Sequence, residues 1–170
     1  MKKEIGYIGL GKMGKGMVFR LLESGWSVFA YNRSKPSVDE VVEKGATGMS
    51  TIAKVVSALS APRVVWLMIP HMNVDEVMAE LIPLLVIGDT IIDGGNSPYL
   101  ETIRRSKELS EKGIEFMDIG VSGGPGGARN GACMMVGGKK KLFDVLEDAE
   151  FFKDTCLPLG WGLMGPHGAG

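Results

Sequence analysis

Several short stretches of the chain combine hydrogen-bonding groups with little steric bulk, each where an apolar run stops. The first is Gly9-Leu10-Gly11-Lys12-Met13-Gly14, directly after Ile5-Gly6-Tyr7-Ile8. Glycines at this spacing between a strand and a helix permit a tight turn, bring backbone N–H groups against a pyrophosphate and let the helix pack on the strand. The helix N-terminus adds a positive dipole end. These six residues are the candidate dinucleotide site. The second stretch is Asn32-Arg33-Ser34, at the end of the next apolar run. A site for NAD places a carboxylate there for the ribose 2′-hydroxyl. An amide, a guanidinium and a hydroxyl suit a 2′-phosphate instead, so NADP is expected in preference to NAD. The alternative for Arg33 is a solvated loop charge. The third stretch, Asp93-Gly94-Gly95-Asn96-Ser97, is echoed by Ser122-Gly123-Gly124. Asn96, Ser122 and the nearby backbone N–H groups can bind a carboxylate and sugar hydroxyls without adding charge.

Other reactive side chains fit blander roles. Met68-Ile69-Pro70 closes a strongly apolar run, and such a strand end can wall a cofactor. His71 follows it and His167 lies near the chain end; both read as loop residues rather than general bases. Arg104-Arg105 and Lys139-Lys140-Lys141 read as solvated helix faces, and the methionines as core filler. Cys133 and Cys156 are far apart with no Cys-x-x-Cys pair, so neither a disulfide framework nor a zinc site is indicated and no metal is expected.

The elements that must position these groups alternate. Apolar strand patterns at Ile5–Ile8, Ser27–Tyr31, Arg63–Ile69, Thr90–Asp93, Ile114–Asp118 and Ala132–Val136 are separated by helical patterns, among them Pro36–Lys44, Thr51–Leu59, Val74–Leu85 and Pro98–Lys112. A last helix is expected over Lys139–Phe152. Nearly continuous apolar strands between helices predict an α/β fold, a doubly wound and mostly parallel sheet of the Rossmann type. The expected domain spans residues 1–157. The stretch 158–170 has no periodicity and reads as a linker toward a further helical domain.

Composition narrows the function classes. The 25 glycines among 170 residues are about twice the usual share and collect at the ends of apolar runs, as loops built for close backbone approach would require. A net charge of −1 with interspersed signs gives no basic field for nucleic acid. No apolar run reaches the roughly 18 residues of a membrane span, and the N-terminus runs straight into a strand pattern. A soluble cytoplasmic protein is expected, with neither nucleic acid nor membrane as partner.

The residues IGLGKMG, YNRS and IDGGNS with Tyr99 and Arg104-Arg105, followed by SGG, fall in an order that resembles the 6-phosphogluconate dehydrogenases, within the wider group of β-hydroxyacid dehydrogenases. The resemblance covers nearly the whole chain. It implies that Asn96 lies between nicotinamide and substrate and that Ser122, Gly123 and Gly124 contact 6-phosphogluconate. The implied reaction oxidises C3 of the sugar acid with NADP, decarboxylates the 3-keto acid and protonates the enediol to ribulose 5-phosphate, a step of the pentose phosphate pathway. A homodimeric full-length enzyme is implied as well. Here His71-Met72, Val121 and Pro98 depart from residues usual in that family. The family's proton-transferring lysine and acid follow a segment that Gly165–Gly170 matches, so no lysine of this sequence takes that role and these residues alone are expected to be inactive. Alternatives are a non-catalytic NADP-binding module and another β-hydroxyacid dehydrogenase or aldehyde reductase.

Overall fold

The computed structural model describes residues 2–170. The chain runs β1 (Glu4–Ile8), α1 (Lys12–Glu23), β2 (Ser27–Tyr31), α2 (Lys35–Val42), β3 (Thr47–Gly48), α3 (Ile52–Ala58), β4 (Val64–Leu67) and α4 (Val74–Leu81). It continues through β5 (Thr90–Asp93), α5 (Tyr99–Glu111), β6 (Glu115–Ser122), α6 (Gly124–Asn130), β7 (Ala132–Gly138), α7 (Lys140–Asp148), α8 (Phe151–Thr155) and β8 (Cys156–Gly165). Short 3-10 turns flank α4 at His71–Asn73 and Ile82–Leu84.

One sheet holds the strands in the order β3-β2-β1-β4-β5-β6-β7-β8. Neighbours are parallel except β6 and β7, so the fold is the doubly wound α/β sheet expected. The central strand β4 shows why a continuous apolar run was needed. Val64 and Trp66 pack into the core beneath α1 and α8, while Val65 and Leu67 pack into a second core beneath α3 and α4. Successive side chains of a strand point to opposite faces, so a strand covered on both sides has no polar position to spare.

Parallel order brings the carboxyl ends of β1, β2, β4 and β5 to one edge of the sheet, where the candidate site residues lie. The amino ends carry structural polar groups. There Asp89, fully buried, accepts from the Arg63 backbone and guanidinium and from Val86 N–H.

Three local expectations are corrected, and one short strand was not foreseen. Residues 158–170, read as a linker, mostly belong to β8, which pairs in parallel with β7. This edge strand is hydrogen-bonded on one side and interrupted by register shifts, so its burial has no period-2 rhythm to read. Gly160 lies in it because a Cβ there would press on Leu157 O and Ala132 O. Trp161 fastens the strand by donating its indole N–H to Glu147 at 3.0 Å. The glycine-rich stretch after Ser122, expected as loop, contains α6, whose Ala128 packs against Gly16 of α1. The single helix expected over Lys139–Phe152 is broken between α7 and α8, where Glu150 takes φ 62°. The two-residue strand β3 was too short to leave a pattern.

Phe152, fully buried and stacked on Phe143 and Trp161, ties α7, α8 and β8 together. Phe152→Ala is expected to cost about 3–5 kcal/mol, read as a shifted denaturant midpoint. Leu159→Ala, at 94% exposure, should stay within about 0.5 kcal/mol.

Candidate functional site

The glycine turn between β1 and α1 is shaped by backbone contact. Gly9 takes φ 104°, and a Cβ on it would overlap the carbonyl of Met68 at the end of β4. Gly14 is held against Gly9 O in the same way, so α1 begins directly on the turn. Gly11 differs: a Cβ there would meet nothing within 4 Å, and the residue caps α1 with no side chain closing its first N–H groups. No acidic residue occupies the first turn of the helix. This is a cradle for an anion, with unpaired donors and the positive end of a 12-residue helix facing open space. Leu10 is buried behind the turn, Met13 half-buried and Lys12 exposed.

The end of β2 is laced to that turn. Gly9 N–H donates to Tyr31 O at 3.0 Å, and Leu10 N–H donates to Asn32 Oδ1 at 3.1 Å. The Asn32 amide N–H₂ donates to Ser34 O at 3.3 Å. Asn32, expected among the groups holding the cofactor, thus spends its side chain on fixing the glycine turn relative to β2. Arg33 and Ser34 are exposed. A cleft of about 250 Å³ opens here, lined by Gly9, Gly11, Asn32, Arg33, Met68, Ile69 and Pro70, with Ile52 and Val77 as apolar walls. Glu76 and Glu80 line it too. The sequence reading missed them, although their spacing of four puts both on one exposed face of α4.

Beside the cleft stands the turn after β5. Gly95 abuts Ile69 O closely enough to exclude a Cβ, and Gly94 rests on the indole of Trp66. Asn96 is exposed with φ 59°. Around it Asp93 accepts from Gly95 N–H and Ser97 Oγ–H, and Arg105 lies behind. The expectation that Arg104-Arg105 form a solvated face fails for Arg105, which is 2% exposed. It shares a buried stripe with Thr102 and Leu109, a helical spacing that was visible in the sequence.

A smaller cleft, lined by Asn96, Asp93, Ser97, Tyr99, Asp118 and Gly120, also includes Gly168 and Gly170. Asp118 holds that end of the chain, accepting from Gly168 N–H at 3.0 Å and Gly170 N–H at 2.8 Å. Asp118 is legible in the sequence only as the end of a strand pattern. Ser122, Gly123 and Gly124 sit at the end of β6, one strand beyond β5, and line neither cleft. His71 is exposed in its 3-10 turn, and His167 Nε2 lies 3.0 Å from Phe116 O. Among the described residues, no group of three or more His, Cys, Asp or Glu is placed to hold a metal ion, and no helix is long and apolar enough to cross a membrane.

The family described as the NAD binding domain of 6-phosphogluconate dehydrogenase matches residues 4–153. A Bacillus subtilis relative, YqeC, is 41% identical over 167 residues, which span 98% of this chain and 56% of that protein. The chain thus covers little more than half the length of this relative. The solved 6-phosphogluconate dehydrogenase of Plasmodium falciparum, described with its cofactor NADP+ and its substrate 6-phosphogluconate, superposes with TM-score 0.90. The two are 32% identical over 98% of this chain and 38% of that one. A Mycobacterium tuberculosis 3-hydroxyisobutyrate dehydrogenase also reaches 0.90, at 22% identity over 100% of this chain and 57% of its own. That likeness shows the fold alone.

Two outcomes check the site's construction. Gly9→Ala should distort the turn, because the methyl has no space and the backbone no relaxed conformation, with a stability loss of about 1–3 kcal/mol in denaturant unfolding. The Asp75 carboxyl is held down at about 2 by its hydrogen bond from Arg105, below the ordinary 3.8. A depressed carboxyl stabilises the fold above its unfolded value and loses that contribution as pH falls through its folded value. The stability gap between the unmodified chain and Asp75→Asn should therefore hold above about pH 4 and its acid-sensitive part vanish toward about pH 2. That part should stay near 1 kcal/mol or below, since water screens the half-exposed carboxylate.

Proposed function

The chain belongs to the family of 6-phosphogluconate dehydrogenase NAD-binding domains, and on that premise we propose that it binds NADP for the oxidative decarboxylation of 6-phosphogluconate to ribulose 5-phosphate. The single observation that carries this reading is the convergence of the open glycine cradle, Arg33 and the Asn96 turn at adjoining strand ends.

Each group has a task set by its chemistry. The N–H groups at Gly11 and the first turn of α1 receive the pyrophosphate. Arg33 and Ser34 take the 2′-phosphate, the guanidinium by paired charge-assisted bonds, while Asn32 keeps the turn beneath them in register. Leu10, Lys12, Met13 and Gly14 complete the motif around the phosphates. Met68, Ile69 and Pro70 wall the nicotinamide end. Asn96 projects from a fixed turn, where its amide can donate to the substrate's hydroxyl and accept from the carboxamide of the cofactor. Ser122, Gly123 and Gly124 are assigned to the sugar acid, one strand further along the same edge.

The dinucleotide, when bound, supplies the hydride acceptor. This chain's part is orientation and exclusion of water, which can account for much of the barrier lowering in a hydride transfer. The proton-transferring lysine and acid of the family are assigned to residues outside this sequence, in a helical domain that also forms the dimer contact. The location proposed for the whole enzyme is the cytoplasm.

Direct binding tests the reading. NADPH should bind these 170 residues more tightly than NADH by tenfold or more, and Arg33→Glu should abolish the preference, since a charge-assisted bond to phosphate is worth about 1.5–3 kcal/mol. Equal affinities in the unmodified chain would remove the NADP assignment.

A further inference from the structure

Asn96 holds a backbone conformation that an L residue adopts at a cost, with φ 59°. The residues on either side of it are tied to one carboxylate. Gly95 N–H donates to Asp93 Oδ1 at 2.9 Å, and Ser97 Oγ–H donates to Asp93 Oδ2 at 2.6 Å. The Asp93 side chain is 1% exposed, and a buried charge needs a counter-charge. Arg105 supplies it from the second turn of α5. Its Nη1 lies 3.5 Å from Asp93 Oδ2 and donates to Ser97 Oγ at 2.9 Å.

The same guanidinium reaches a second loop. Nε donates to Asp75 Oδ1 at 2.8 Å, and Nη2 donates to Asp75 Oδ2 at 3.2 Å and to His71 O at 3.4 Å. That loop continues from Pro70, which lines the larger cleft. One planar cation therefore joins the turn bearing Asn96 to the wall of the cofactor cleft, and the buried fork leaves no easy alternative arrangement.

We propose that Arg105 is a positioning residue of the dehydrogenase site, fixing Asn96 and the Met68–His71 wall in one frame so that the reacting end of the dinucleotide meets a preset geometry. The proposal rests on the reading of this chain as an NADP-binding part of a dehydrogenase. Lysine cannot replace Arg105, because a single ammonium cannot serve Asp93, Ser97, Asp75 and His71 O together. Arg104 provides the control. It is 47% exposed, pairs with Asp75, Glu101 and Glu108, and has no contact with Asp93.

The test compares two ligands that differ in the end they place near Asn96. NADPH and 2′,5′-ADP are titrated against the unmodified chain, Arg105→Lys, Ser97→Ala and Arg104→Ala. Expected is a fall in NADPH affinity of about tenfold for Arg105→Lys and severalfold for Ser97→Ala, with 2′,5′-ADP unchanged within twofold throughout and Arg104→Ala like the unmodified chain. A purely structural role would weaken both ligands together, and that result overturns the proposal. So does unchanged NADPH binding in Arg105→Lys and Ser97→Ala. If Arg105→Lys does not fold, Ser97→Ala decides by the same criterion. If the unmodified chain binds neither ligand, the reading as an NADP site fails and takes the positioning role with it.

Discussion

Backbone pressed against backbone at the ends of β1, β4 and β5 is the constraint on which the rest depends. A side chain on Gly9 would overlap Met68 O, one on Gly14 would overlap Gly9 O, and one on Gly95 would overlap Ile69 O. Three successive strands of the sheet therefore end in loops with no layer of side chains between them. What this excludes in bulk it returns in exposed N–H groups, which can approach a phosphate or a sugar acid as closely as they approach one another. The two cores on either face keep those strand ends in plane, and the cleft follows from that.

Charge in the site is arranged by depth. Arg33, which faces solvent, shares the cleft with Glu76 and Glu80, so its attraction for a phosphate acts against two nearby carboxylates. Through water such a field is weak and selects mainly by contact. Beneath the surface Asp93, Asp118 and Arg105 are nearly enclosed and bind protein groups rather than solvent. Asp93 and Asp118 stand directly across from each other on β5 and β6. Each organises a different loop, Asp93 the turn of Asn96 and Asp118 the segment that ends at Gly170.

Much of this was legible in the sequence, for physical reasons. β5 runs over the expected residues and is buried at every position, β2 does so with burial that alternates along Val28, Phe29, Ala30 and Tyr31, and the glycine turn was marked by its spacing. β8 was hidden because an edge strand with glycines and a proline lacks that signature. α6 was hidden because Gly124-Pro125-Gly126-Gly127 argues for a loop by propensity, and packing of Ala128 against α1 overrides it. Arg105 was misread on residue type alone. Its place in the Thr102, Arg105, Leu109 stripe pointed inward, but the carboxylate that makes burial tolerable, Asp93, comes from another element and meets it only in the fold. Asn32 lines the cleft as its strand-end position suggested, and its side chain also accepts from Leu10 N–H, a contact that residue type alone does not disclose.

The most direct measurement is an amide NMR titration of the chain with NADP+, followed by 6-phosphogluconate. The account predicts that NADP+ shifts the amides of Gly9, Gly11, Arg33 and Ser34 together with Asn96, and that the sugar acid then shifts Ser122, Gly123 and Gly124. Shifts confined to the opposite, amino-terminal edge of the sheet, around Val64 and Thr90, would contradict it, as would no response to either ligand.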